Sequence, residues 1–354
     1  MQKGNENKPI TIYDIAKEAG VSPATVSRVI TNRANVSSDK REKVLELVRK
    51  YNFQPNVLAQ GLANAGTKTI GIMTADVRNP FYAAMFVACE QAARERGYTV
   101  TLCNSMDVKN QEIQLLGKMR DQRVDAIIQM GGSVDDLASD EEYVEAVNQI
   151  AGDVPFVTTG KLDGTGCYMV RIDDRKCIDL LMNHLLDLNH QRIALLGGSM
   201  DVVSTYAKYQ RYKQILRENM LEFDQRLVSF DKLYNYEAGY SEIERLLEEK
   251  IPFSAVIAVN DQSATGIIRC LQDHGYRIPE DISVVSQDNT MFSEILMPKL
   301  TSVDYGYEEF GKLLVDTVIA LLEGKNVETL QMVTPTLVVR ESSGYCTGKS
   351  IVQN

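Results

Sequence analysis

One helical face close to the N-terminus combines small, polar and basic side chains. Ser22 and Pro23 suit the cap and the first position of a helix, since a serine oxygen accepts from a free N–H and proline lacks that donor. Val26 and Val29 are three residues apart, a spacing that places both on the inward face of a helix. The positions left pointing outward are Ala24, Thr25, Ser27 and Arg28. A guanidinium binds the O6 and N7 of guanine and hydroxyls bind phosphate, so this face has the chemistry to contact duplex DNA.

A second helix precedes this face, with a tight turn between the two. Thr11 suits its N-cap, Asp14 lies near its positive end, and Gly20 supplies the turn. Two helices joined by three or four residues, with the second offered to a major groove, form the helix-turn-helix of DNA-binding proteins. An ordinary helical hairpin is the alternative.

The next thirty residues favour the DNA-binding interpretation. Ser37 suits the N-cap of a third helix that closes a three-helix unit, and Pro55 ends it because the residue before a proline avoids helical geometry. The apolar stripe of this helix is Val44, Leu45, Val48 and Tyr51. Residues 56–63 follow as an amphipathic helix that is too short to be stable alone in water.

Residues 12–62 resemble, without a gap, the headpiece and hinge of the lactose/galactose repressor (LacI/GalR) family. The resemblance rests on the run YDIAKEAGVSPATVSRVI and on a Pro-Asn-x-x-Ala-x-x-Leu pattern that begins at Pro55. It implies that the residues at base edges are Pro23, Ala24, Thr25 and Arg28. The candidates for phosphate contacts are Tyr13, Ser22, Ser27, Asn35 and Ser37. The hinge contacts to DNA fall on Asn56, Ala59 and Leu62.

The hinge leucine has the most specific implied role. By the resemblance, Leu62 wedges into the minor groove at the centre of the operator and kinks the duplex. Two hinge helices are needed, so a homodimer on a pseudo-palindromic, double-stranded operator is expected. Packing of Leu62 on the partner's hinge helix is an alternative compatible with the wedge. The tail after Arg340 lacks leucine heptads, which favours a dimer over a zippered tetramer.

The charge of the chain is segregated. The formal net charge is −10, but residues 1–68 carry eleven Lys/Arg against six Asp/Glu, a net of +5, and the remainder carries 27 against 42, a net of −15. A basic headpiece on an acidic body is the pattern expected when one end contacts phosphate. The polar N-terminus and the absence of long apolar runs predict neither a secretory signal nor a membrane partner, and hence a cytoplasmic location.

From residue 69, short apolar runs alternate with helical periodicity, which predicts parallel sheets covered on both faces. The runs VNDQSATG (259–266) and IPEDISVV (278–285) resemble the family's effector-binding core, which periplasmic sugar-binding proteins share. The expected fold is an all-α helix-turn-helix headpiece plus an α/β two-lobed core of doubly wound parallel sheets. The predicted segments are a headpiece at 1–54, a hinge and linker at 55–68, a core at 69–345 and a tail at 346–354. Within the core, the N-lobe is predicted at 69–166 and 291–326, and the C-lobe at 167–290 and 327–345, with three crossings.

The resemblance also implies an effector site in the cleft between the lobes. The candidate residues are Asp76, Asn79, Phe81, Tyr82, Lys161, Lys208, Tyr234, Asn260 and Asp288. An aromatic platform with hydrogen-bonding groups suits a sugar, although Phe81 and Tyr82 have the alternative of forming the buried start of a helix. Gly160 stands where the family often has an acid. With Lys161 expected beside Lys208, the cleft shifts toward positive charge, so sugar acids and sugar phosphates become as plausible as neutral sugars.

The sequence shows no catalytic, metal-binding or cofactor-binding pattern. Gly131-Gly132 and Gly197-Gly198 follow strands without a nucleotide-binding context, and Asp173-Asp174 suits a loop and helix cap. Six cysteines lie at least ten residues apart with only three histidines, which predicts reduced thiols and no metal. We therefore expect a ligand-responsive transcriptional repressor of carbohydrate-related genes. The alternatives are a global regulator controlled by a protein partner on the N-lobe and a sugar-processing enzyme. The sign of ligand control is left open.

Overall fold

The computed structural model describes residues 10–30, 36–53, 66–230 and 233–346. The chain forms two compact units, residues 1–67 and residues 68–354. All six cysteines are free thiols. Among the described residues, no helix has both the length and the apolar character that crossing a membrane requires.

The first unit contains three helices, α1 (Ile12–Ala19), α2 (Pro23–Ile30) and α3 (Ser38–Lys50). Thr11 and Asp14 form a reciprocal capping box at the start of α1, and Gly20 ends the helix in the left-handed region at φ 68°. Ser37 occupies the N-cap position of α3, but its hydroxyl makes no capping hydrogen bond there. The core of this unit is centred on fully buried side chains from each helix, Ile15, Val26 and Val44.

The second unit contains two six-stranded sheets. The first has the order β11-β5-β4-β3-β1-β2, and all its neighbouring strands run parallel. Its strands are β1 (Thr69–Thr74), β2 (Thr99–Asn104), β3 (Ala126–Met130), β4 (Phe156–Thr158), β5 (Tyr168–Ile172) and β11 (Leu330–Val333). The second has the order β12-β10-β9-β8-β6-β7, with only β12 antiparallel to its neighbour. Its strands are β6 (Ile193–Leu196), β7 (Val228–Ser229), β8 (Ala255–Ala258), β9 (Ser283–Gln287), β10 (Thr301–Asp304) and β12 (Thr336–Val338).

Helices cover both faces of each sheet. Those of the first sheet are α4 (Pro80–Glu95), α5 (Lys109–Asp121), α6 (Glu141–Ala151) and α12 (Tyr307–Leu322). Those of the second are α7 (Asp174–Asp187), α8 (Val203–Glu218), α9 (Tyr236–Glu248), α10 (Asp261–Asp273) and the short α11 (Met291–Ile295). α4 packs on α12, where a Cβ at Gly311 would lie 2.5 Å from that of Ala88, so the close approach requires glycine. α7 packs on α8, and α9 on α10. The doubly covered strands explain the continuous apolar runs in the sequence.

The chain crosses between the sheets after β5, after β10 and after β11. The N-lobe therefore comprises residues 68–172 and 307–333, and the C-lobe residues 174–304 and 336–346. The boundaries predicted at 167, 291 and 327 need correction, since they placed β5 and β11 in the C-lobe and β10 in the N-lobe. Hydropathy shows where a strand lies but not its partner, and β5 pairs with β4 while β10 pairs with β9.

Candidate DNA-binding face and effector cleft

The outward face of α2 carries the predicted base-contacting side chains. Ser22 caps the helix, because its Oγ accepts from Thr25 N at 3.2 Å and lies 3.0 Å from the Thr25 hydroxyl. Val26 and Val29 are buried, whereas Ala24 and Arg28 are exposed and Pro23 and Ser27 are half-buried. Tyr13 on α1 is 71% exposed. α2 thus presents a guanidinium and small polar groups on one accessible face. The predicted DNA contacts at Asn35, Asn56, Ala59 and Leu62 lie outside the described residues.

Contacts between α1 and α3 fix the frame behind this face. Glu18 accepts from the Lys50 ammonium at 2.9 Å and from the Tyr51 hydroxyl at 2.8 Å. The hydrogen bonds from Lys50 and then Tyr51 lower the pKa of the exposed Glu18 carboxyl. Glu18 therefore stays ionised and holds the helix that precedes the turn against α3.

In the second unit, the C-lobe wall of the cleft is built around Tyr234 and Asn260. Asn260, directly after β8, caps α10 by accepting from Ser263 N at 2.8 Å, and its Nδ2 donates to the Tyr234 carbonyl at 2.9 Å. The Tyr234 hydroxyl lies 3.2 Å from both Ser199 N and the Thr205 hydroxyl. Asn260 thus acts here by positioning Tyr234, with its own polar atoms already engaged.

Asp288 lies at the end of β9 in a backbone conformation that favours glycine, with φ 101°. Its N–H donates to the Val303 carbonyl, and its carbonyl accepts from the Tyr307 hydroxyl at 2.7 Å. Burial, and then the negative charge of Asp261, raise the pKa of the Asp288 carboxyl well above its usual range, although Lys208 lowers it. A non-glycine residue held in such a conformation by its surroundings is typical of a functional site.

Asp261 holds the segment that follows Asp288. This buried carboxylate accepts from the Thr290 N–H at 2.6 Å and from the Thr290 hydroxyl at 2.9 Å. It also accepts from the hydroxyls of Ser286 and Ser302. Four donors on one carboxylate explain how the strained turn after β9 is kept in place.

Lys208 is buried in the same wall. Its ammonium lies 3.4 Å from Asp174 Oδ1, and the Arg171 guanidinium lies 3.9 Å from Asp174 Oδ2. Asp173 caps α7 by accepting from Lys176 N at 3.0 Å, as the sequence predicts, but its neighbour Asp174 belongs to the cleft. Sequence reasoning treated the two acids alike and so missed Asp174.

The N-lobe contributes an aromatic cluster. Phe81 packs edge-on against Tyr82 and Tyr305, with ring centroids 5.1 and 5.8 Å apart. Burial, and then the charge of Asp135, raise the pKa of Tyr82 well above its usual range, and Tyr234 and Asp288 of the C-lobe contribute to this rise. Phe81 and Tyr82 do begin a helix, α4, and they also face the cleft, so the two interpretations are compatible.

Gly131 and Gly132 shape the loop after β3. A Cβ at Gly131 would lie 2.2 Å from the Tyr82 hydroxyl oxygen, and one at Gly132 would lie 1.7 Å from Glu112 Oε1. Glu112 accepts from Ser133 N at 3.2 Å, which fixes the short 3₁₀ turn that leads to Asp135. Because neither glycine has a side chain, the Tyr82 hydroxyl and the Glu112 carboxylate can lie directly against this loop. Asp135 was not predicted, although its position after a parallel strand was the available signal.

Asp135 also lies where the lobes meet. The Asp135 carbonyl accepts from Val203 N at 2.8 Å, and Leu137 N donates to the Asp201 carbonyl at 2.6 Å. Residues 135–137 of the N-lobe and 201–203 of the C-lobe thus form a short antiparallel bridge, centred on Asp136 and Val202. This bridge, called here the lobe bridge, joins the two walls of the cleft.

Three predicted effector residues are engaged elsewhere. Asp76 accepts two short bonds from the Arg78 guanidinium, and Asn79 caps α4 by accepting from Phe81 N at 3.0 Å. The Lys161 ammonium lies 2.5 Å from Asp163. Lys161 and Lys208 each pair with an aspartate of their own lobe, so the positive charge expected from the two lysines is offset.

Comparisons with known proteins agree with both units. Residues 11–56 match the model of bacterial regulatory proteins of the lacI family, and residues 182–343 match that of a periplasmic binding protein-like domain. Catabolite control protein A of Priestia megaterium is 34% identical over 323 residues, which cover 90% of this chain and 95% of the relative. The HTH-type transcriptional regulator RegA of Clostridium saccharobutylicum is 30% identical over 94% of this chain and 99% of its own length.

Solved structures give the same picture. The lac repressor dimer bound to operator and the anti-inducer ONPF superposes with a TM-score of 0.85 at 28% identity, covering 95% of this chain and 100% of that chain. The complex of the transcriptional regulator CelR with cellobiose has a TM-score of 0.70 at 27% identity, covering 94% and 100%. The relatives are transcriptional regulators and not enzymes. From these matches and the exposed face of α2, the chain belongs to the lacI family of bacterial regulatory proteins and is a DNA-binding transcriptional regulator.

Proposed function

We propose that this regulator acts in the cytoplasm as a repressor, binds a pseudo-palindromic operator as a homodimer, and is controlled by a small polar ligand in the cleft between its lobes. The observation that carries the ligand site is the convergence of buried polar groups from both lobes. Tyr82 and Asp135 come from the N-lobe, and Lys208, Tyr234 and Asp288 from the C-lobe. Ligand sites in doubly wound sheets lie at such carboxyl ends of strands.

The dimer is supported by the similarity to the lac repressor dimer and by exposed apolar side chains on each lobe. In the N-lobe these side chains lie on or near α4 and β2, and they are Val87, Met106 and Val108. In the C-lobe they lie on α11 or just after it, and they are Met291, Ile295 and Met297, which are 65%, 61% and 84% exposed. Large apolar side chains grouped at one place on the surface of a single chain are typical of an association surface.

A carbohydrate-related ligand is supported by the cellobiose in the CelR complex and by the catabolite control proteins among the relatives. The cleft chemistry agrees, because aromatic rings with hydrogen-bonding groups beside them suit polyhydroxylated rings. A ligand changes operator binding only if it prefers one arrangement of the lobes. The lobe bridge is a contact that such a preference would make or break.

The test is operator binding by the full chain, measured by fluorescence anisotropy with and without ligands that raise its melting temperature. We expect at least one such ligand to change operator affinity about five-fold or more, within the usual range of allosteric coupling. The same ligand should lose its effect in Tyr234→Ala, whose hydroxyl contacts Ser199 and Thr205. If stabilising ligands leave operator affinity unchanged in the wild type, control through the cleft is wrong.

A further inference from the structure

Three carboxyl groups face the cleft. Asp135 comes from the N-lobe, and Asp174 and Asp288 come from the C-lobe. Lys208 and Arg171, two cations of the described residues, both contact Asp174. Within residues 66–230 and 233–346, the structure shows no ion pair at Asp135. Among the described residues, no cation therefore neutralises this cleft carboxylate by direct contact.

The surroundings of Asp135 oppose its ionisation. Burial, and then the negative charge of Asp174, raise the pKa of the Asp135 carboxyl to about 7, and Arg171 only partly counters this. Asp107 and Asp136 add further repulsion from the N-lobe. A ligand cation beside Asp135 would relieve this unfavourable charge, whereas a carboxylate or phosphate would add to it.

The cleft also has an excess of hydrogen-bond acceptors. Gln287 is the last residue of β9 and directly precedes Asp288. Its Nε2 donates to the carbonyl of Val259, the residue directly before Asn260. This places the amide between the two strand ends that carry cleft residues. Its Oε1 is buried and finds no hydrogen-bond donor in the described part of the chain. A buried acceptor without a donor is unfavourable, so it fits a ligand rich in O–H or N–H groups.

Asp135 is in addition part of the lobe bridge. Its carbonyl accepts from Val203 N of the other lobe at 2.8 Å, so Asp135 is also a residue at which the lobes join. A ligand cation held by the Asp135 side chain would act on both walls at once, because Asp174 of the C-lobe faces the same point. Binding there would favour the arrangement of the lobes in which the bridge is formed.

We propose that the ligand of this cleft carries a protonated amine on a hydroxyl-rich frame, as amino sugars do, and that Asp135 binds this amine. The proposal rests on the proposed function of the cleft as the effector site. It assigns the hydroxyl groups of the ligand to the acceptors Asp288 and Gln287. It replaces the expectation of sugar acids or sugar phosphates, whose anionic groups would meet three aspartates.

The experiment is calorimetric and thermal-shift titration of the full chain with matched ligand sets. The probes are glucosamine, galactosamine and mannosamine, their neutral parent sugars, glucuronate and glucose 6-phosphate. We expect at least one amine to bind ten-fold or more tightly than its parent at pH 7.2, where the amino sugars are still largely protonated, and this advantage to shrink at pH 5.5, where Asp135 is protonated. The proposal is overturned if a neutral or anionic probe binds more tightly than every amine, or if no amine binds.

Variants separate this inference from the proposed function. Asp135→Asn should abolish the amine preference while parent-sugar binding persists, and Asp163→Asn, which removes a carboxylate paired with Lys161, should retain it. If Asp135→Asn does not fold, the pH dependence in the wild type decides the matter. If a neutral or anionic probe binds more tightly than every amine and changes operator affinity, the charge assignment fails and cleft control stands. If an amine binds through Asp135 without changing operator affinity, the charge assignment stands and control through the cleft is wrong.

Discussion

Lys208 and Asp174 form an ion pair of 3.4 Å in the cleft wall, where their side chains are only 11% and 12% exposed. Burial alone would lower the pKa of Lys208, but the charge of Asp174 reverses this, and the pKa lies above its usual value. The lysine is thus held charged inside the protein chiefly by Asp174, with a smaller contribution from Asp288. Lys161 and Asp163, by contrast, pair at the surface with 37% and 64% exposure.

Breaking the buried pair should be more costly than breaking the surface pair. Lys208→Met leaves Asp174 without its closest cation and should destabilise the core by about 3 kcal/mol, the range seen when one partner of a buried pair is removed. Lys161→Met should cost less than about 1 kcal/mol. The loss of stability is measured from the melting temperatures of both variants and of the double variant that combines Lys208→Met with Asp174→Asn. A double variant that is no more stable than Lys208→Met alone would contradict the role of the pair.

The stability of the core should fall as pH rises toward 7. The Asp135 carboxyl, with a pKa of about 7, stays protonated in the folded core, while in the unfolded chain it ionises near pH 4. The folded state therefore holds the extra proton in this window, so its stabilisation is complete below about pH 4 and is lost as pH rises through about 7. Each pH unit in the window changes stability by up to ~1.4 kcal/mol for one such group.

Asp135→Asn should remove this dependence. Burial above all also raises the pKa values of Asp107 and Asp136, so these groups likewise make the core less stable as pH rises. Arg171 lowers the pKa of Asp135 and so weakens the effect there. We expect the variant to melt at a higher temperature than the wild type at pH 8, with the difference shrinking at pH 5. Thermal melts across this range check it, and a difference that does not vary with pH would exclude Asp135 as the cause.

The apolar group around α11 should mediate dimer formation. Ile295→Glu places a charge on a side chain that is 61% exposed in the single chain, so the fold should persist while association weakens. Met220→Glu is a matched control, since Met220 is 94% exposed but follows α8, in the other helical layer of the C-lobe. Sedimentation velocity should show a dimer for the control and a monomer for Ile295→Glu. Two dimers would place the interface elsewhere.

Leu62, which lies outside the described residues, is predicted to insert between base steps at the operator centre. Leu62→Ala should weaken operator binding while leaving binding to random duplex nearly intact, because the wedge acts through DNA deformation and not through phosphate contacts. Anisotropy titrations on both duplexes at one salt concentration measure the two affinities. Equal losses on both would remove the wedge role.

Local features were predictable from the sequence because they depend on neighbouring residues. The capping box of Thr11 and Asp14, the left-handed Gly20 and the serine cap of α2 follow from side-chain chemistry within one turn. The continuous apolar strands were equally visible. Strand partners were not, since β10 pairs with β9, which ends at Gln287, and with β12, which begins only at Thr336.

The cleft was predicted in outline and not in its electrostatics. Phe81 packs against Tyr82, and the charge of Asp288 contributes to the raised pKa of Tyr82, so these residues lie near one another. The sequence could not show that Lys161 pairs with Asp163, or that Asp135 and Asp174 face each other from opposite lobes. Charge balance in a cleft depends on which side chains turn inward, and that is decided by tertiary packing.

The most direct test of the central claim is selection from random duplexes by the wild type and by Arg28→Ala. Arg28 is exposed on the face of α2, as the only long hydrogen-bond donor among its outward positions. The wild type should enrich a pseudo-palindrome with a guanine in each half-site, and the variant should lose that guanine preference by about ten-fold or more, as expected for a bidentate contact. An asymmetric site, or an unchanged guanine preference in Arg28→Ala, would contradict DNA reading by this face in a symmetric dimer.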